Sequence, residues 1–247
     1  MKPLNATAPI LLSLLATACA TSLPGPASPG ASPPLFYKTY TLGAEKPEAL
    51  LVALHYSGST PDFWDEHVTT LDTAVRVVLP RGARPHRAGF TWFPVEHEKR
   101  DSARKTAEVE RVATQLADIV REVRRAHPEI RRVAVTGFSY GGDLAWMLAL
   151  RHPELVDVAV PMGTRLLGEP ARSLPPSHQV LVLQGEDDSI IPLQQTLARV
   201  AHLKAVGVPI DVRTYPGVGH DVSPLLLEDW RGFLRQALQE TGAAPRP

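Results

Sequence analysis

Ser139 stands in Gly137-Phe138-Ser139-Tyr140-Gly141-Gly142, between the β-branched run Val133 to Thr136 and the apolar stretch Asp143 to Leu150. A serine hydroxyl is a weak nucleophile at neutral pH and needs a base that is itself oriented by a third group. A short β-branched run reads as a buried strand. A strand turning sharply into a helix holds the seryl oxygen out at the carboxyl edge of a sheet. It also sets the next backbone N–H, that of Tyr140, at a helix N-terminus. So tight a turn leaves no room for side chains beside it, which accounts for Gly137 and Gly141. The chemistry such a serine can perform is acyl transfer.

Where an elbow of this kind carries a triad, the order along the chain is nucleophile, acid, base, each in a loop after a strand. Of the nine histidines, only His178, His202 and His220 lie well beyond the elbow and its helix. His178 precedes the candidate acids, and His202 sits inside a helical pattern. His220 lies in Tyr215-Pro216-Gly217-Val218-Gly219-His220-Asp221, a glycine-rich loop after the last expected strand, and is the expected base. The acid should follow the strand Val180 to Leu183, where Glu186, Asp187 and Asp188 are neighbours, and the residues alone leave the choice among them open. A tetrahedral oxyanion needs two preorganised donors. One is the Tyr140 amide; Ser57, in the loop after Leu54, is the best source of the second. His55 precedes the serine and reads as a structural loop histidine.

These groups need a scaffold that brings strand ends together. The chain has 247 residues, enough for one good-sized α/β domain, and its 26 basic and 26 acidic residues balance. That balance gives no reason to expect nucleic acid as a partner. Leu35 to Leu42 suits an edge strand, and the apolar Ala49 to Leu54 a strand buried on both faces of a parallel sheet. A helix over Pro61 to Leu71 and a strand over Ala74 to Leu79 come next, then a long irregular segment, Pro80 to Asp101, of a length usually tied to function. Val109, Val112, Ala113, Leu116, Ile119, Val120 and Val123 give helical spacing within Ser102 to His127, stopped by Pro128. Beyond the elbow come a strand over Leu155 to Met162, a loop to His178 and the strand Val180 to Leu183. A helix over Leu193 to Val206, a strand over Ile210 to Tyr215 and a helix over Leu225 to Leu238 complete the series. Alternating strands and helices indicate a doubly wound, mostly parallel sheet with no separate lid domain.

The N-terminus reads as a targeting segment, with Lys2 and a short apolar Ile10 to Ala18 over residues 1–18. It closes in Leu15-Ala16-Thr17-Ala18-Cys19, which resembles the lipobox of bacterial lipoproteins; Ala16 stands where leucine is usual. Cys19 is the single cysteine in the chain, so no disulfide competes for it. The expectation is a lipid-anchored or secreted protein of the cell envelope, with a Pro/Gly/Ser-rich tether over residues 19–34. A catalytic domain over 35–240 and a flexible tail over 241–247 complete it.

With these pieces in place, the chain from about Phe36 to Leu238 resembles the phospholipase/carboxylesterase family of α/β-hydrolases, which includes acyl-protein thioesterases. Gly137 to Gly142 matches that family's G-F-S-x-G-G. Gly185 to Pro192 matches G-x-x-D-x-x-V-P, which implies Asp188 as the acid. Gly219-His220-Asp221-Val222-Ser223-Pro224 matches G-H-x-[IV]-x-P, and Thr91-Trp92-Phe93 is similar to an S-W-F segment bordering the acyl site. The resemblance implies a serine esterase acting on small-molecule carboxylic esters or thioesters without metal or cofactor. Tyr56, Trp92, Phe93 and Met162 are then expected at the substrate. Three positions depart from the pattern: Tyr56 replaces a glycine, Gln184 a histidine and Tyr140 a common glutamine. A serine peptidase or polyester depolymerase on the same fold, and a catalytically silent binding lipoprotein, are the rival expectations.

Overall fold

The computed structural model describes residues 35–171 and 174–239. The expected targeting segment, Cys19, the tether and the C-terminal tail lie outside the described residues.

The strands are β1 (Tyr37–Leu42), β2 (Ala49–Leu54), β3 (Val75–Pro80), β6 (Arg132–Phe138), β7 (Val158–Met162), β8 (Gln179–Gly185) and β9 (Ile210–Tyr215), with a hairpin of β4 (Arg84–His86) and β5 (Gly89–Thr91) between β3 and β6. The seven form one sheet in the order β1-β3-β2-β6-β7-β8-β9. Only the edge strand β1 pairs antiparallel; the remaining neighbours are parallel. Side chains alternate between the two faces as strand geometry requires. In β2, Leu50, Val52 and Leu54 join one core while Ala49, Leu51 and Ala53 join the other. The first core packs beneath α2 (Ser102–Ala126), α3 (Tyr140–Arg151) and α4 (Leu193–Ala205). The second packs beneath α1 (Asp65–Val68) and α5 (Pro224–Gln239), where Trp64 stacks on Trp230 with ring centres 5.5 Å apart.

Two expectations change. The helix foreseen over Pro61 to Leu71 is a 3₁₀ turn over Pro61–Trp64 followed by the single α turn of α1. Beyond it the backbone bonds tighten to i→i−3, from Thr70 N to His67 O and Leu71 N to Val68 O, and the Thr69 and Thr70 hydroxyls add bonds to the carbonyls of Asp65, Glu66 and His67. The irregular segment from Pro80 is more ordered than its composition suggests. Its hairpin docks on the loop after β2, with Gly58 N donating to Phe90 O and Phe90 N to Ser59 O, both at 2.8 Å. Sequence-distant strands thereby brace the segment that carries Tyr56 and Ser57.

Candidate active site

Ser139 follows β6 directly and precedes α3, with φ +56° and ψ −121°, a backbone conformation few non-glycine residues adopt. The glycines on either side explain how the chain closes around it. A Cβ on Gly137 would stand 2.2 Å from Gly141 O, and one on Gly141 would stand 2.1 Å from Leu54 O. Any side chain there would push the elbow off the sheet. Ser139 N donates to Met162 O at 3.0 Å, tying the turn to the end of β7.

His220 arrives on the loop after β9. Its Nε2 lies 3.0 Å from Ser139 Oγ and its Nδ1 2.8 Å from Asp188 Oδ2. Asp188, on the loop after β8, is buried. Its Oδ1 accepts the amides of Ile190 (2.9 Å) and Ile191 (2.8 Å). Burial alone would raise the Asp188 carboxyl; the Ile191 amide, His220 and the Ile190 amide outweigh it and hold the group below the ordinary carboxylate range. Gln184 donates from Nε2 to Asp188 Oδ2 and Ile191 O, both at 3.0 Å, so the residue that departs from the family pattern steadies the acid. Asp187 is exposed and takes no part in this chain of bonds.

A cavity of about 620 Å³ opens over Ser139 and His220, walled by Tyr56, Phe63, Phe93, Phe138 and Val222 on its apolar side. Ser57 and Tyr140 both line it. Among the described residues, neither amide N–H is taken up by a turn, loop or cap carbonyl. The Ser57 hydroxyl donates to Thr91 Oγ1 at 2.9 Å, which ties this loop to β5. His55 is buried and neutral: Gly82 N donates to its Nε2 at 3.0 Å, so Nδ1 carries the proton and donates to Tyr56 O at 2.8 Å. Burial pushes its pKa down to about 4 despite the bond to Tyr56 O. Its structural reading holds, and its task is to hold the Tyr56–Ser57 loop.

Two of the four expected substrate contacts do not reach the cavity. Trp92 is buried with its indole N–H donating to His55 O at 2.8 Å and its ring stacked on His55, so it braces the loop from behind. The Met162 side chain is fully buried in the core on the α5 side. Tyr56 and Phe93 do line the cavity.

Sequence reasoning missed a closed ring of polar contacts beside the elbow. Tyr140 Oη donates to Glu98 Oε1 at 2.6 Å, Arg165 donates to Glu98 Oε1 (2.8 Å) and to Asp143 Oδ2 (2.7 Å), and Asp143 lies on α3 with Tyr140. Asp143 also accepts from Thr164 Oγ1 at 2.9 Å. The ring pins the first turn of α3, whose leading amide is that of Tyr140. Glu98, on the 3₁₀ turn Val95–Lys99, and Arg165, in the loop after β7, are 67 positions apart, and no local spacing announces them.

A mostly parallel sheet with a serine on a strand-to-helix elbow, faced by imidazole and carboxylate from later strand ends, defines the α/β-hydrolase fold. The Phospholipase/Carboxylesterase family profile matches residues 40–238, and the chain belongs to that family. It is 27% identical over 114 residues to acyl-protein thioesterase 1 of Gibberella zeae, covering 43% of this chain and 48% of that protein. It is 31% identical over 101 residues to a putative carboxymethylenebutenolidase of Yersinia pestis, covering 37% and 38%. The chain therefore spans about half the length, or less, of these curated relatives. The crystal structure of a carboxylesterase from Mesorhizobium loti is similar with a TM-score of 0.68 and 25% identity, covering 81% of this chain and 94% of that one.

Proposed function

We propose that the protein is a serine hydrolase of the carboxylesterase type, cleaving carboxylic esters or thioesters of small molecules through an acyl-enzyme. The observation that carries this reading is the continuous chain from Ser139 Oγ to His220 (3.0 Å) and on to Asp188 (2.8 Å). Ser139 attacks the carbonyl while His220 Nε2 takes its proton and later returns it to the leaving group. Asp188 keeps the proton of the resting imidazole on Nδ1 and stabilises the imidazolium. The amides of Tyr140 and Ser57 receive the tetrahedral oxyanion, and water activated by His220 releases the acid. The names of the relatives, a thioesterase and a carboxylesterase, agree with this reading. Its test is a panel of 4-nitrophenyl esters and acyl thioesters: turnover supports it, and inertness of the folded protein towards all of them refutes it.

The Tyr56 ring packs edge-on against Phe63 (5.0 Å) and Phe138 (5.8 Å) and fills part of the cavity, whereas the loop itself is held through the Tyr56 carbonyl. Tyr56→Ala should therefore lengthen the accepted acyl chain. Each methylene newly buried contributes up to about 0.8 kcal/mol, so three raise kcat/KM on longer esters by roughly 10- to 60-fold. A uniform fall in kcat at every chain length would instead assign the ring to aiming the Ser57 amide.

For the cell location, we infer a lipid anchor at Cys19 in the cell envelope, supported by the lipobox-like sequence before it. Cys19→Ala should release the protein from the membrane fraction or block its processing. An unmodified mature start beyond Cys19, read by intact mass, points to plain secretion.

A further inference from the structure

The tip of the β4–β5 hairpin puts a cation on the rim of the cavity that no carboxylate among the described residues pairs with. Arg87 and His86 both line it. Arg87 sits at φ +51° in the hairpin turn, is exposed, and has no carboxylate within ion-pair distance among the described residues. Of the two carboxylates on the same lining, Glu98 is paired with cations and Asp221 keeps its charge, and neither is within ion-pair distance of Arg87. Glu98 accepts from Tyr140, Arg165 and Lys105. Asp221 accepts the Val222 amide at 2.7 Å.

The stem of Arg87 is seated against the loop that carries Ser57. Gly58, in the loop that carries Ser57, has φ +88°, and a Cβ there would stand 3.1 Å from Arg87 Cδ and 3.6 Å from its Cβ. The missing side chain of Gly58 is the seat of the arginine stem, one residue from the proposed oxyanion amide. The backbone pairing of Gly58 and Ser59 with Phe90 locks the hairpin to that loop. A long cationic side chain laid across an oxyanion loop presents its charge to whatever projects from the ester.

Resting on the hydrolase reading above, we propose that this site selects esters bearing an anionic group, a carboxylate or phosphate, which Arg87 receives at the cavity rim. The contact is a charge-assisted, partly solvated hydrogen bond, so its effect on discrimination is about 2- to 5-fold at low ionic strength. It weakens as salt is added. Two arms separate the acyl side from the alcohol side. In one, 4-nitrophenyl hemiglutarate is compared with its neutral isostere, 4-nitrophenyl 5-methylhexanoate. In the other, 4-butyryloxybenzoate is compared with 4-isopropylphenyl butyrate.

The readout is the ratio of kcat/KM, charged over neutral, in the wild type and in Arg87→Gln, so that intrinsic reactivity cancels. The expected result is a fall of that ratio by about 2- to 5-fold in one arm, with kcat/KM on the neutral ester unchanged and Arg87→Lys retaining most of the preference. The difference should shrink in high salt. Unchanged ratios in both arms overturn the anion site. So does an equal loss on charged and neutral esters, which would mean that the stem merely props the loop. Absence of all ester turnover, with Ser139 unlabelled by a phosphonate, overturns the hydrolase reading and the anion site together; turnover of neutral esters with unchanged ratios overturns the anion site alone.

Discussion

Ser139→Ala should fold as the wild type does and lose ester turnover by on the order of 10⁴-fold or more. The hydroxyl's hydrogen-bond partner is His220, at 3.0 Å, and the elbow is held by backbone contacts, including Ser139 N to Met162 O. Removing Oγ leaves these in place. Alanine pays about the same strain as serine at φ +56°, so thermal stability should move little. What disappears is the bond-forming atom, while the two amides and the cavity still bind a carbonyl. Residual catalysis over water is then expected from them alone. Activity near that of the wild type in a folded Ser139→Ala protein would remove Ser139 from the mechanism.

Asp188→Asn should lower kcat by roughly 10³- to 10⁴-fold, whereas Asp187→Asn should be nearly silent. The reason is one of donors and acceptors. Oδ1 of Asp188 already accepts two amides, from Ile190 and Ile191, so an asparagine oxygen must occupy that place. Its NH₂ then faces His220 Nδ1 and the Gln184 amide, itself a donor. The imidazole must turn Nδ1 into an acceptor, which moves its proton to Nε2, and an Nε2–H cannot take the proton of Ser139. Asp187 is exposed and touches neither ring nor serine. Reversed results for the two variants would shift the acid by one residue.

The sheet and the Ser139–His220 pair were legible because local sequence carries them. The apolar runs of β2 and β6 mark strands covered on both faces, the period of α2 marks its buried stripe, and glycines mark an elbow that backbone collisions enforce. Asp188 was distinguishable from Asp187 only through a motif, since the difference lies in which carboxylate the chain turns inward onto Ile190 and Ile191. Trp92 and Met162 were misjudged for a related reason: residue type and strand-end position say that a side chain is near the site, not which way it points. Trp92 turns back to grip the His55 carbonyl, and Met162 drops into the core. The Tyr140–Glu98–Arg165–Asp143 ring joins three separate segments, and a charge in a loop has no periodicity from which to predict its partner. The hairpin was missed because three-residue strands are too short to show alternation.

The account rests on a serine made nucleophilic by its neighbours, and a fluorophosphonate tests that property directly, without knowledge of the natural substrate. The folded, full-length protein is incubated with the probe and the adduct is mapped by peptide mass spectrometry. The predicted result is one adduct, on Ser139, that disappears in Ser139→Ala and forms far more slowly in His220→Ala. No adduct on the folded protein, or an adduct on a different serine, would contradict the account.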